Sequence, residues 1–178
     1  MNKTLLALAT LSALLLGACG GQADQSAAAS SAPVAQIAAS DAQASAISPI
    51  AAVGATEDVN ERERLMKLFK ENFGVMGKMV KGDVDFNAAA FQTAAGILNE
   101  NADKPWAHYT EESATLESEA KPEVWTKAAE FKKEADHFVI AVAALNTAAK
   151  EGTLEAVKAP FGEVGQSCKS CHSTFRKD

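Results

Sequence analysis

The sequence predicts an all-α protein, an antiparallel four-helix bundle, and three observations carry that reading. Alanine is abundant while aromatic residues make up only 6% of the chain, a balance that favours helices over sheets. Four stretches in the C-terminal two thirds repeat apolar side chains at spacings of three and four, the period of one helix face. Only one connection between them, residues 102–121, is long, so successive helices are expected to run antiparallel.

The first helix is expected from Thr56, a cap followed by the acidic Glu57 and Asp58. Val59, Arg62, Met66, Phe69, Phe73, Met76 and Val80 share its inner face, and Lys81-Gly82 ends it. The second runs from about Asp85 to Asn101 and places Phe86, Phe91, Ala94, Ala95 and Leu98 inward. Residues 102–121 read as a loop carrying Pro105, Trp106, His108 and Tyr109, then an acidic run from Glu111 to Glu119 that reads as solvated surface. Pro122 suits the start of the third helix, where its missing N–H costs nothing. That helix carries Val124, Trp125, Phe131, Phe138, Val142 and Leu145 and stops near Gly152. Thr153 caps the fourth, with Val157, Phe161, Val164, Cys168 and Phe175 on one face. Pro160 lies inside it and predicts a kink or restart near 156–160.

Ahead of this domain, residues 1–18 have the parts of a secretory signal: Lys3, an apolar run from Leu5 to Leu16, then small residues. The run is too short for a spanning helix, which needs about 20 apolar residues. It ends in Leu16-Gly17-Ala18-Cys19, which resembles the bacterial lipobox, so Cys19 is the expected site of acylation and membrane anchoring. By resemblance to bacterial sorting rules, Gly20 after that cysteine favours the outer membrane over the inner. Residues 19–55, rich in Ala, Ser, Gln and Gly, cannot bury enough surface to offset their ordering entropy and read as a flexible tether. Its mean reach is about 30–35 Å. The folded domain is then expected over 56–178.

That domain ends in Cys168-Lys169-Ser170-Cys171-His172, the Cys-x-x-Cys-His pattern of c-type haem attachment. On a helix the two thiols and the imidazole share one face. Both cysteines would form thioethers to one haem c per chain, and His172 would ligate its iron. A zinc site would need two further ligands, and the other histidines are His108, in the loop, and His137, among Lys133, Glu134 and Asp136. With Cys19 assigned to the lipid, no thiol is left for a structural disulfide. The formal net charge of −6, with no basic stripe, argues against nucleic acid as a partner.

Such a motif on the last helix of a bundle resembles cytochrome c prime. The likeness covers about residues 57–178. Val59 to Arg62, Phe73-Gly74-x-Met76 and Val80-Lys81-Gly82 resemble the family's first helix. Pro105-Trp106, Pro122-Glu123-Val124-Trp125 and Phe131-Lys132 resemble the middle. Phe161-Gly162-x-Val164-Gly165-x-x-Cys168-Lys169-x-Cys171-His172-x-x-Phe175-Arg176 resembles the last helix, from which Pro160 departs.

The resemblance implies roles. His172 would be the sole protein ligand of a high-spin, five-coordinate iron, and Arg176 the arginine beside it. Arg62 would stand at the haem edge, where a guanidinium can pair with a propionate. Met66 would face the open sixth site, and Trp106 would be an aromatic near the ring. An apolar distal wall offers bound dioxygen no hydrogen bond, whereas nitric oxide needs none. In this family it can also displace the histidine and end beside the arginine. The reading is therefore a periplasmic, membrane-anchored cytochrome that binds nitric oxide or another small diatomic gas, buffers it, and passes single electrons to redox partner proteins. Homodimers are common in the family. The alternative is a six-coordinate, low-spin carrier in which Met66 is the sixth ligand. Catalysis of nitric oxide or peroxide turnover is not expected, because the first helix shows no distal His/Arg pair.

Overall fold

The structure, a computed structural model, describes residues 49–177; the expected signal, Cys19 and the tether up to residue 48 lie outside the described residues. Among the described residues it holds four long α-helices, one short one, two 3-10 turns at Lys104–His108 and Glu112–Thr115 within the expected loop, and no strand.

Helix α1 spans Pro49–Lys81. It starts upstream of Thr56, so residues 49–55, read as the end of the tether, are helical. Thr56 does not cap it; its hydroxyl donates back to the Ala52 carbonyl at 2.9 Å. This added stretch of about two turns includes Ala55, which is buried. Gly82 at φ 80° ends the helix in the left-handed conformation that glycine adopts without strain.

Helix α2 spans Ala88–Asn101. Asn87 caps it through a 2.9 Å bond from the Ala90 amide, two residues beyond the expected start at Asp85. Phe86, just outside the cap, packs on Phe91 with ring centroids 5.6 Å apart, a hydrophobic staple that sets the entry angle.

The third expected helix is two. Helix α3 is the single turn Glu123–Thr126, and α4 spans Ala128–Ala149. Lys127, at φ −121° and ψ 43°, leaves helical geometry between them. The break turns Val124 toward a separate apolar cluster with Phe131 and Phe175.

Helix α5 spans Leu154–Phe175, capped by Thr153 as expected. It runs through Pro160 without the restart that was expected. The proline lies inside the helix, as its seventh residue, and forgoes the amide bond to the Ala156 carbonyl while the helix continues.

Helices α4 and α5, α1 and α2, and α2 and α4 pack side by side around a core of Phe91, Leu98, Val142, Leu145, Val157 and Val164. Helices α1 and α5 meet closely at one end only. There Phe73 and Phe161 stack at 4.2 Å between centroids, and a Cβ on Gly165 would come within 3.3 Å of the Phe73 ring. Toward Arg62 on α1 and Cys168 on α5 a cavity opens between them.

Candidate functional site

The cavity encloses about 840 Å3, within the range of small-molecule and cofactor sites. Cys168, Cys171, His172, Arg176, Arg62, Met66 and Trp106 all line it, so residues up to 114 positions apart in sequence are brought to one wall-and-floor arrangement. Helix α5 supplies both thiols and the imidazole from consecutive turns. Helix α1 supplies Met66, Phe69 and Phe73 from across the gap.

Both cysteines are half-buried and unbridged. Burial pushes the Cys168 thiol up, and burial followed by the nearby Glu134 carboxylate pushes Cys171 up to about 11. His172 is exposed on one flank. What cover it has, and then the adjacent Arg176 charge, hold its imidazole below the ordinary range. An unprotonated imidazole is the form that can ligate a metal.

Arg62 is the most informative residue. It is 2% exposed, yet among the described residues no carboxylate pairs with it. Its Nη1 donates to the His108 carbonyl at 2.8 Å and to Ser113 Oγ at 2.7 Å, and Nη2 to Ser118 Oγ at 3.0 Å. Tyr109 lies under the guanidinium, 4.7 Å from carbon to ring centroid. Burial lowers its pKa, as expected for a cation out of water. A buried cation held only by neutral oxygens, on the wall of a cavity, fits an anionic group within that cavity. A haem propionate is such a group. Two buried polar atoms without a partner among the described residues, Ser167 Oγ and Glu134 Oε2, belong to residues of the same wall. The thiols, the imidazole, the apolar faces and the unpaired cation therefore fit a covalent haem.

Trp106 donates through Nε1 to the Ala102 carbonyl at 2.8 Å and sets its ring edge-on to Phe131 and Phe138. Tyr109, which the sequence left as a loop residue, joins this aromatic floor 4.8 Å from Phe131, and burial raises its hydroxyl to about 12.

The acidic run was read as solvated surface, and in part it is not. Ser113 is fully buried, and Ser118, Glu119 and Ala120 line the cavity. Ser113 bonds Arg62 across 51 positions of sequence, so no local pattern could reveal it. His108 is also tied in, with Nδ1 2.8 Å from Asp58. His137 is exposed, and among the described residues no cluster of side chains has the makings of a separate metal site.

Comparison with known proteins accords with this geometry. The family described as Cytochrome C' matches residues 57–176. Cytochrome c' of Alcaligenes xylosoxydans xylosoxydans is 35% identical over 119 residues, covering 67% of this chain and 92% of the relative. A solved nitric oxide complex of a variant of cytochrome c prime from Alcaligenes xylosoxidans superposes with a TM-score of 0.65 at 33% identity, covering 70% of this chain and 97% of that one. Cytochrome c-556 of Agrobacterium fabrum is 30% identical, covering 70% of this chain and 84% of the relative.

Proposed function

Because the chain belongs to the cytochrome c prime family and carries one covalent haem c, we propose that it is a gas-binding cytochrome whose ligand is nitric oxide. The observation that carries this is the apolar wall of Met66, Phe69 and Phe73 on α1, set across the cavity from His172. Haem c supplies an iron site for a diatomic gas and a one-electron couple. Cys168 and Cys171 fix the ring to α5, His172 gives the protein ligand, and Arg62 neutralises a propionate at the inner edge. Met66 itself presents no hydrogen-bond donor, which favours a gas such as nitric oxide, whose bond to iron needs none, over dioxygen. Arg176, beside His172, offers a charged donor on the proximal face. The solved nitric oxide complex of a relative supports the choice of gas.

Outside the described residues, the lipobox-like sequence supports anchoring through Cys19 on the periplasmic side of a bacterial membrane, and Gly20 supports the outer one. Homodimerisation and electron exchange with redox proteins belong to the same proposal.

A second reading has its own support. Met66 is a methionine on the distal wall, and a relative named cytochrome c-556 is 30% identical. Thioether ligation would close the iron to gases and leave an electron carrier.

The absorption spectrum of the reduced protein, with and without nitric oxide, decides between them. A broad high-spin spectrum that changes on adding nitric oxide is expected. Sharp α and β bands unaltered by carbon monoxide or nitric oxide would overturn the gas-binding reading. Met66→Leu would then restore gas sensitivity.

A further inference from the structure

Arg176 is positioned only in part by the helix that precedes it. Helix α5 ends at Phe175; the Arg176 amide still donates to the His172 carbonyl at 3.2 Å, but its backbone is extended, at φ −113° and ψ 140°. A short antiparallel pairing with residues 119–121 holds it from the other side. Ala120 bridges Arg176, the Lys121 amide donates to the Phe175 carbonyl at 2.9 Å, and the Lys177 amide donates to the Glu119 carbonyl at 2.8 Å. This pairing lays the Glu119 carboxylate beside the guanidinium, with Oε2 3.1 Å from Arg176 Nε. One residue earlier, Ser118 accepts from Arg62 at 3.0 Å. A strap of four residues, 118–121, therefore touches both arginines of the cavity wall.

We propose that Glu119 is a positioning residue for Arg176, holding its guanidinium at the proximal face beside His172. This rests on the proposed assignment of His172 to the iron and of Arg176 to its proximal side. The carboxylate grips Nε, at the stem of the fork, and the two outer nitrogens stay available to a ligand on that face. The pair is open to water, at 49% and 70% side-chain exposure, and exposed pairs of free side chains gain little because ordering them costs entropy. Here the backbone pairing places the two residues side by side before the ion pair forms, which removes part of that cost.

The test is a double-mutant cycle on the reduction potential of the haem-loaded protein: wild type, Glu119→Gln, Arg176→Gln and both together, with Glu119→Asp as the charge-preserving variant. If Glu119 acts through Arg176, the two single changes are non-additive by about twofold to fivefold in the redox equilibrium. At 59 mV per tenfold for one electron that is about 18–41 mV. Glu119→Asp returns the potential toward wild type. A residue that served only to hold the C-terminus would lower the unfolding temperature without such coupling. Additive shifts, or no shift in Glu119→Gln, overturn the proposal. In a parallel measurement, nitric oxide leaves the reduced Glu119→Gln protein about twofold to fivefold faster than wild type. If the wild type proves insensitive to nitric oxide, the functional reading fails, while the potential cycle still judges Glu119.

Discussion

Replacing Ser113 by alanine tests whether the acidic segment holds the haem edge together. Ser113 is fully buried, and its hydroxyl serves twice: it accepts from Arg62 Nη1 at 2.7 Å and donates to the Thr110 carbonyl at 2.8 Å. Alanine removes one charge-assisted bond and one neutral bond, and water has no route to replace them. A bond to a charged group contributes about 1.5–3 kcal/mol and a neutral one about 1 kcal/mol. Arg62 keeps the His108 carbonyl at 2.8 Å and Ser118 at 3.0 Å, so part of the loss relaxes away. The net expectation is about 2–3 kcal/mol of destabilisation. With an unfolding entropy of about 2.1 cal/mol/K per residue over about 120 residues, that is a fall of about 8–12 °C in Tm. The assay is thermal unfolding of the haem-loaded protein by circular dichroism. The same substitution in an Arg62→Met background, where no cation needs an acceptor, should cost only about 1 kcal/mol. A loss of about 0.5 kcal/mol or less in the wild-type background, or equal losses in both, would refute the reasoning.

Three further outcomes follow from the same geometry. Cys168→Ser/Cys171→Ser should release its haem into acidified acetone, and a denaturing gel stained for haem should show no band where the wild type does. At Gly152, φ 70°, a Cβ would make only ordinary contacts, 3.8 Å to Ala88 Cβ and 4.0 Å to Gln92 Nε2, so Gly152→Ala meets backbone strain without a clash. It should cost about 1–2 kcal/mol in chemical denaturation. The His108 hydrogen bond, and then that of Thr110, hold the Asp58 carboxyl below its ordinary 3.8 despite partial burial. Its contribution is therefore complete above the ordinary carboxylate range and is lost as pH falls through the lowered folded value. Urea midpoints at neutral pH and at about pH 3 should show Asp58→Asn weaker than wild type at neutral pH and the gap closing on acidification.

What could be read ahead of the structure follows from the range of each interaction. Helix faces obey a local period, so Phe69, Met76, Phe91, Leu98, Val142 and Val164 fall in the core where their spacing put them. The Cys168–His172 pattern is local too, and its geometry comes with the helix that carries it. Helix ends were harder. Asp85 looked like an N-terminus, but Asn87 holds the cap because only that register sets Phe86 against Phe91. Residues 49–55 have a tether's composition and still continue α1, since propagating an existing helix adds one bond per residue while starting one is costly.

The acidic segment shows the deeper limit. Nothing in Glu111 to Glu119 distinguishes a solvated run from one that binds, because its partners, Arg62 and Arg176, lie more than fifty residues away on either side. The distinction comes from small residues between the carboxylates. Ser113 and Ser118 are neutral acceptors, and they satisfy Arg62 without neutralising it. Had either been Asp or Glu, Arg62 would have been paired within the chain and would have had little affinity for an anion in the cavity. The acids of the run instead face outward or pair with the C-terminal cations, Glu119 with Arg176 and Glu117 with Lys177. A segment that looks uniformly acidic therefore keeps its negative charge away from the one cation buried among the described residues, and that separation leaves Arg62 available to an anion in the cavity, the place the proposed function gives a propionate.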